Sequence, residues 1–135
     1  RDRVQMALTA ALAGLRDRER RLIRIYAPAF LPEERAPGYV STYGPGFREN
    51  GGQYTHAAVW LALALHRAGR REEAAALAED MALSLTAPEY GAEPFVLPAD
   101  IAYAPGKEGR AGWSWYTGAA GWHLRLLREL YGTEP

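Results

Sequence analysis

Residues 53–68 read QYTHAAVWLALALHRA, a run that is apolar almost all the way round a helix. A helix without a polar face has to be covered by other elements, so this one is expected to be buried among helical neighbours. Gly69 follows it at the C′ position, where a glycine stops a helix. The rest of the chain supplies candidates for the cover. Residues 2–18 place Val4, Leu8, Ala11, Leu12 and Leu15 on one stripe, the pattern of an amphipathic helix. Residues 71–86 direct Ala74, Leu77, Ala78, Met81 and Leu85 inward and Glu72, Glu73, Glu79 and Asp80 outward. A last helix is expected from near Gly118 to Tyr131–Gly132. Trp60 and Trp122, inside helices, read as core. The short RAGRREE turn makes the second and third helices an antiparallel pair.

Two long irregular stretches, residues 19–52 and 87–116, separate these helices and hold most of the prolines, glycines and aromatics. The second contains a short extended piece, EPFVLPADIAY, cut by two prolines. Long connections of this kind are uncommon in compact domains and tend to carry function. The expected fold class is all-α, a helical toroid in which residues 38–52 and 99–117 emerge at one common end.

Composition excludes several functions. The 16 basic and 16 acidic side chains cancel, so no general attraction to nucleic acid or anionic membrane is expected. Without cysteine there is no disulfide scaffold and no thiolate metal site. No apolar run approaches a membrane span and no signal-peptide pattern opens the chain, which is expected to be cytoplasmic. A length of 135 residues allows one domain or a piece of one. RDRVQMAL begins as if in mid-helix, so residues 1–135 are expected to be a fragment.

The chemistry concentrates in RENGGQYTHAA, residues 48–58. Gly51 and Gly52 would let the backbone approach another group closely just before a helix. The helix start offers free N–H groups and the positive end of the dipole, an anion site to which His56 could add a donor. Glu49 and Gln53 could bind hydroxyls. Equally, Glu49 and Gln53 could cap the helix while His56 is a satisfied core histidine. GRAGWSWYTGAAGWHL (109–124) repeats the design, with Thr117 a candidate N-cap and Gly118, Ala119 and Ala120 leaving the backbone uncovered. Tight helix packing through Gly118 and Gly121 explains those small residues as well. Tyr43, Phe47, Tyr54, Trp113, Trp115 and Tyr116 fall in or beside the loops, where flat rings suit a sugar or a core under the loops.

GPGFRENGGQYTHAAVWLALAL, EPFVLPADI and GRAGWSWYTGAAGW resemble the C-terminal part of the catalytic domain of glycoside hydrolase family 94. That family includes cellobiose, chitobiose and oligo-β-1,2-glucan phosphorylases and the terminal module of cyclic β-1,2-glucan synthase. The resemblance runs from about Gly38 to Gly132, and less closely back through RRLIRIYAPAF. It implies part of an (α/α)6 barrel and inverting phosphorolysis of a β-linked glucan or oligosaccharide. Inorganic phosphate then replaces the water of an inverting glycosidase. It is the second substrate, and no metal or organic cofactor is needed. The resemblance assigns phosphate contacts to His56, Thr117 and Gly118. It places Glu49, with Gln53 and Tyr54 beside it, on the sugar side, together with Glu93, Asp100 and Trp113. The family's general acid, an aspartate, lies upstream of anything matched here. A chain of this kind would therefore need the preceding part of its domain as a partner. Two alternatives stand beside this reading: a helical-repeat scaffold, against which no second copy recurs at a fixed period, and a hydrolase or sugar-binding relative that has lost phosphate.

Overall fold

The computed structural model describes residues 2–35, 38–82 and 88–132. Among the described residues four α-helices carry the fold: α1 (Asp2–Leu15), α2 (Thr55–Arg67), α3 (Arg71–Ala82) and α4 (Thr117–Tyr131). Helix α2 touches each of the others, as its composition requires. Val59, Ala62 and Leu65 are fully covered on it, and they meet Leu8 and Leu12 of α1, Leu77 and Met81 of α3, and Leu126 and Leu130 of α4. Each large apolar side chain so buried contributes roughly 1.5–3 kcal/mol. The fold class is all-α.

One face of α2 departs from the expectation of burial all round. Trp60, Ala64 and Arg67, spaced at i, i+4 and i+7, form an exposed stripe, and Trp60 is 53% exposed. Trp60 is therefore not a core residue: α1, α3 and α4 cover the other faces of α2 and leave this one open. Trp122 is partly buried against the core, with its ring 5.7 Å from that of Trp60. Helix α2 ends as expected. Gly69 takes φ +83°, its N–H donates to His66 O (3.0 Å), and Arg70 N–H donates to Leu65 O (2.9 Å). This double closure of the last turn needs a left-handed residue. Leu85, assigned to the inner face of the third helix, lies outside the described residues.

Helix α1 stops at Leu15, the last residue of the apolar stripe and short of the expected end at residue 18, because the chain turns into a two-stranded hairpin. Its strands are β1 (Arg16–Asp17) and β2 (Leu22–Ile23). The Asp17 carboxylate accepts the N–H groups of Glu19 (3.0 Å) and Arg20 (2.9 Å), a local turn that competes with helix continuation. The hairpin is then tied to α3. Arg16 (2.6 Å) and Arg21 (2.7 Å) both bond the carboxylate of Asp80. Asp80 is thus buried rather than facing solvent, which is tolerated because two guanidinium groups satisfy both its oxygens.

Three further strands hold the loops at one end of the helices. β3 (Gln53–Tyr54) pairs with β4 (Asp100–Ile101), which pairs with β5 (Ala111–Gly112), all antiparallel. Tyr103 N–H donates to Gly46 O at 2.7 Å, so the 44–52 and 99–113 segments lie against each other. Close approach is obtained with glycine. A Cβ on Gly46, at φ +85°, would stand 2.6 Å from Ala104 Cα, and one on Gly51 would meet Ala29 Cβ at 2.7 Å. A Cβ on Gly52 would lie 2.9 Å from Arg48 N. Gly51 and Gly52 accordingly serve contacts within the chain.

Two outcomes follow from this packing. Gly46→Ala combines a left-handed backbone with a clash against backbone, so unfolding in urea should show a loss of roughly 2–4 kcal/mol. Gly44→Ala, whose new methyl would meet only the Phe47 ring at 3.6 Å, should change stability by no more than about 0.5 kcal/mol. Equal effects of the two would contradict the close contact. The second outcome concerns pH. Asp17 is held at about 2, below the ordinary 3.8, first by the Arg20 backbone N–H and then by the Tyr103 hydroxyl. Because the folded value is the lower one, Asp17 stabilises the fold above its ordinary value and that contribution is lost as pH falls through the folded value. Asp17→Asn should therefore lose less stability than the native chain between pH 3.8 and 2 in thermal unfolding.

Candidate functional site

The polar residues of RENGGQYTH divide into two groups once folded. Asn50 is 2% exposed and uses its whole amide: Oδ1 accepts from Tyr26 OH (2.8 Å) and Phe30 N–H (2.9 Å), while Nδ2 donates to Phe30 O (3.0 Å) and Tyr43 O (2.8 Å). Gln53, equally buried, accepts Ile23 N–H on Oε1 at 2.9 Å. These two residues build the support, so the structure gives Gln53 an interior role between β2 and β3, away from the loop cavity. Neither it nor Glu49 caps α2. Tyr54 occupies the N-cap position, without a side-chain hydrogen bond to the helix.

Arg48 belongs to the second group. It lines a cavity of about 460 Å³ with Tyr43, Phe47, Asp100, Lys107, Arg110 and Trp113. Its backbone is left-handed (φ 44°) and its side chain lies over Trp113, with the guanidinium carbon 3.7 Å from the ring centroid. Arg48 Nη1 is buried and has no hydrogen-bond partner among the described residues. The same is true of Asp100 Oδ1 on the cavity wall, in a residue that is 4% exposed. Burial pushes the Asp100 carboxyl up, and the Arg48 charge opposes that shift. Gly112, opposite on β5, leaves room for this carboxylate, since a Cβ there would come within 3.0 Å of Oδ1. Sequence reasoning selected Asp100 and Trp113 but missed Arg48. Its signal was its place one residue before Glu49 in RENGGQYTHAA.

Glu49 lies beside the cavity without lining it. Its carboxylate accepts from Tyr39 OH at 3.3 Å and stands 3.5 Å from Arg48 Nε. Glu93 is exposed and is not among the lining residues.

A second, smaller space of about 50 Å³ is lined by Tyr54, His56, Ala99, Tyr116, Gly118 and Ala119. It brings the starts of α2 and α4 together. A Cβ on Gly118 would lie 3.5 Å from His56 Nδ1, so a bare backbone faces the imidazole. His56 Nε2 is buried without a partner among the described residues, and the ring packs edge-on against Trp60 at 4.7 Å. The structure corrects the capping role given to Thr117: Tyr116 is the N-cap, and Thr117 is the exposed first residue of α4. Among the described residues no side chain caps the first turn of either helix. Trp113 and Tyr116 stack edge to face at 5.1 Å, both about half exposed. Trp115 is 72% exposed. Among the described residues no group of three or more His, Asp or Glu side chains could hold a metal ion, and no helix is long and apolar enough to cross a membrane.

Comparison with known proteins agrees with the motifs. Over 131 residues, 93% of this chain, the sequence is 44% identical to the cyclic beta-(1,2)-glucan synthase NdvB of Rhizobium meliloti (strain 1021). The chain spans 5% of the length of that protein. Residues 1–131 also match the family described as the glycosyl hydrolase 94 superfamily, catalytic domain. By that match, which takes in all four helices and both spaces between the loops, the chain belongs to the glycosyl hydrolase 94 superfamily.

Proposed function

We propose that this chain forms part of an inverting β-glucoside phosphorylase, within an (α/α)6 barrel completed by other parts of the domain. In this reading it supplies the phosphate contacts and part of the sugar site, and an aspartate elsewhere in the domain protonates the leaving glycosidic oxygen. Phosphate attacks the anomeric carbon from the opposite face, releasing glucose 1-phosphate and a shortened β-glucan. Membership of the superfamily supports a carbohydrate-active role. The observation that carries the finer reading is the meeting of His56 and Gly118 from two helix starts in one small cleft, beside a larger polar cavity. Helix starts without side-chain caps present N–H groups and positive dipole ends to an anion.

The cavity suits the saccharide. Its two unpartnered buried atoms, Arg48 Nη1 and Asp100 Oδ1, offer a donor and an acceptor to neighbouring hydroxyls, each of which can accept and donate. Trp113 adds an apolar face for a sugar ring. Glu49 acts here through its contact with Arg48, holding the guanidinium against the cavity wall.

Kinetics on the complete enzyme separate these roles. His56→Ala should raise the phosphate KM by about 10- to 150-fold, equivalent to roughly 1.5–3 kcal/mol for a hydrogen bond to a charged group. Thr117→Ala should act in the same direction but less, because backbone donors remain. An unchanged phosphate KM in His56→Ala would make the histidine structural. Arg48→Met keeps an apolar stem on Trp113 and removes the charge. It should lower kcat/KM for the saccharide by about 10- to 150-fold, again the loss of one charged hydrogen bond. Glu49→Gln should weaken saccharide use in the same manner and leave the phosphate KM nearly unaltered. A phosphate-selective defect in Arg48→Met would reverse the assignment of the two spaces.

A further inference from the structure

We infer that the Trp113–Tyr116 ring pair is a positioning element that couples occupancy of the large cavity to occupancy of the small cleft. This inference rests on the phosphorylase reading, with a glucosyl unit in the cavity and phosphate in the cleft. Trp113 lines the cavity and Tyr116 lines the cleft. Their rings meet edge to face, with centroids 5.1 Å apart at an angle of 74°. One aromatic contact thus has a ring in each space.

Both ends of that contact are anchored. Trp113 is held in a left-handed conformation (φ 53°), its carbonyl accepts Ala99 N–H at 3.1 Å, and Arg48 lies over one face of its ring while the residue is half exposed. Tyr116 is the residue on which α4 begins, and Gly118, two residues on, faces His56. Contacts therefore run from Arg48 through Trp113 and Tyr116 to the start of α4 and His56. The β4 segment repeats the arrangement on the other side, where Ala99 borders the cleft and Asp100 borders the cavity.

A sugar stacked on Trp113 fixes the angle of that ring, and the edge-to-face contact then favours one orientation of its neighbour. Tyr116 borders a space of only about 50 Å³, so a small rotation of its ring decides whether a tetrahedral anion fits between it and His56. The effect is reciprocal: phosphate in the cleft orients the ring on which the sugar stacks. Tyr116 acts by position, through its ring edge rather than its hydroxyl.

The test uses the complete enzyme, its general-acid aspartate replaced by asparagine so that the disaccharide is not consumed, and calorimetric titration with inorganic phosphate in the absence and presence of a saturating β-linked glucose disaccharide. The readout is the ratio of the two phosphate dissociation constants. A merely structural residue would change both constants alike and leave that ratio alone. The native ratio is expected to be about fivefold or more, the lower end of typical coupling between sites. It should fall to near one in Tyr116→Ala and in Tyr116→Leu, which keeps bulk without a ring, and persist in Tyr116→Phe. A native ratio near one, or a full ratio in Tyr116→Leu, would overturn the coupling while phosphate binding itself survives. Failure of the complete enzyme to bind phosphate under either condition would instead remove the phosphorylase reading, and this inference with it.

Discussion

The side chain of Asn50 is the point on which the loop end of the molecule turns. A buried amide has two donor hydrogens and two acceptor positions, and leaving any of them unpaired carries a desolvation penalty. Here all four are filled, by the 26–30 segment on one side and Tyr43 on the other. Only a carboxamide offers that pattern, and glutamine would carry it one methylene further from the backbone. Its effect is to fix the 43–50 turn from inside, so that Arg48, two residues earlier, is held left-handed with its guanidinium over Trp113. A surface loop gains in this way the rigidity that a binding surface needs.

The helices were legible because periodicity over a dozen residues accumulates. The apolar stripe of residues 2–18, the run at 53–68 and the glycines at 69 and 132 all matched real boundaries within a few residues. Of the five strands among the described residues only β4 falls in a stretch expected to be extended, EPFVLPADIAY; the others were not legible, since each is two residues long and two residues have no period. β1 and β2 are made by a local hairpin, whereas β3 exists only through its pairing with β4, a segment far away in the chain. Asp80 misled for a related reason: its outward-looking place on α3 is overruled by Arg16 and Arg21, which arrive from a hairpin that local pattern does not reveal. Trp60 misled in the opposite sense, because a side chain's size says how much it gains from burial and not whether a neighbour is there.

The site was half legible. Two helix starts rich in glycine and histidine or threonine signalled a common end, and His56 and Gly118 do meet. Composition could not say which polar residue of RENGGQYTH is support and which is surface, since Asn50, Gln53, Arg48 and Glu49 are all capable of either. That division is made by the chain's own backbone groups. Ile23 N–H claims Gln53, and Phe30 claims Asn50, while Arg48 Nη1 and Asp100 Oδ1 are left unclaimed among the described residues.

Strand β3 ends at Tyr54 and helix α2 begins at Thr55, with no residue between them. Strand β4 is registered directly on that strand, Tyr54 opposite Asp100 and Gln53 opposite Ile101. The wall of the cavity and the axis of the central helix are therefore one mechanical part. A tilt of α2 is also a displacement of Asp100, and the six residues of the small sheet act as the rigid hub through which the helices and the loops hold a common alignment.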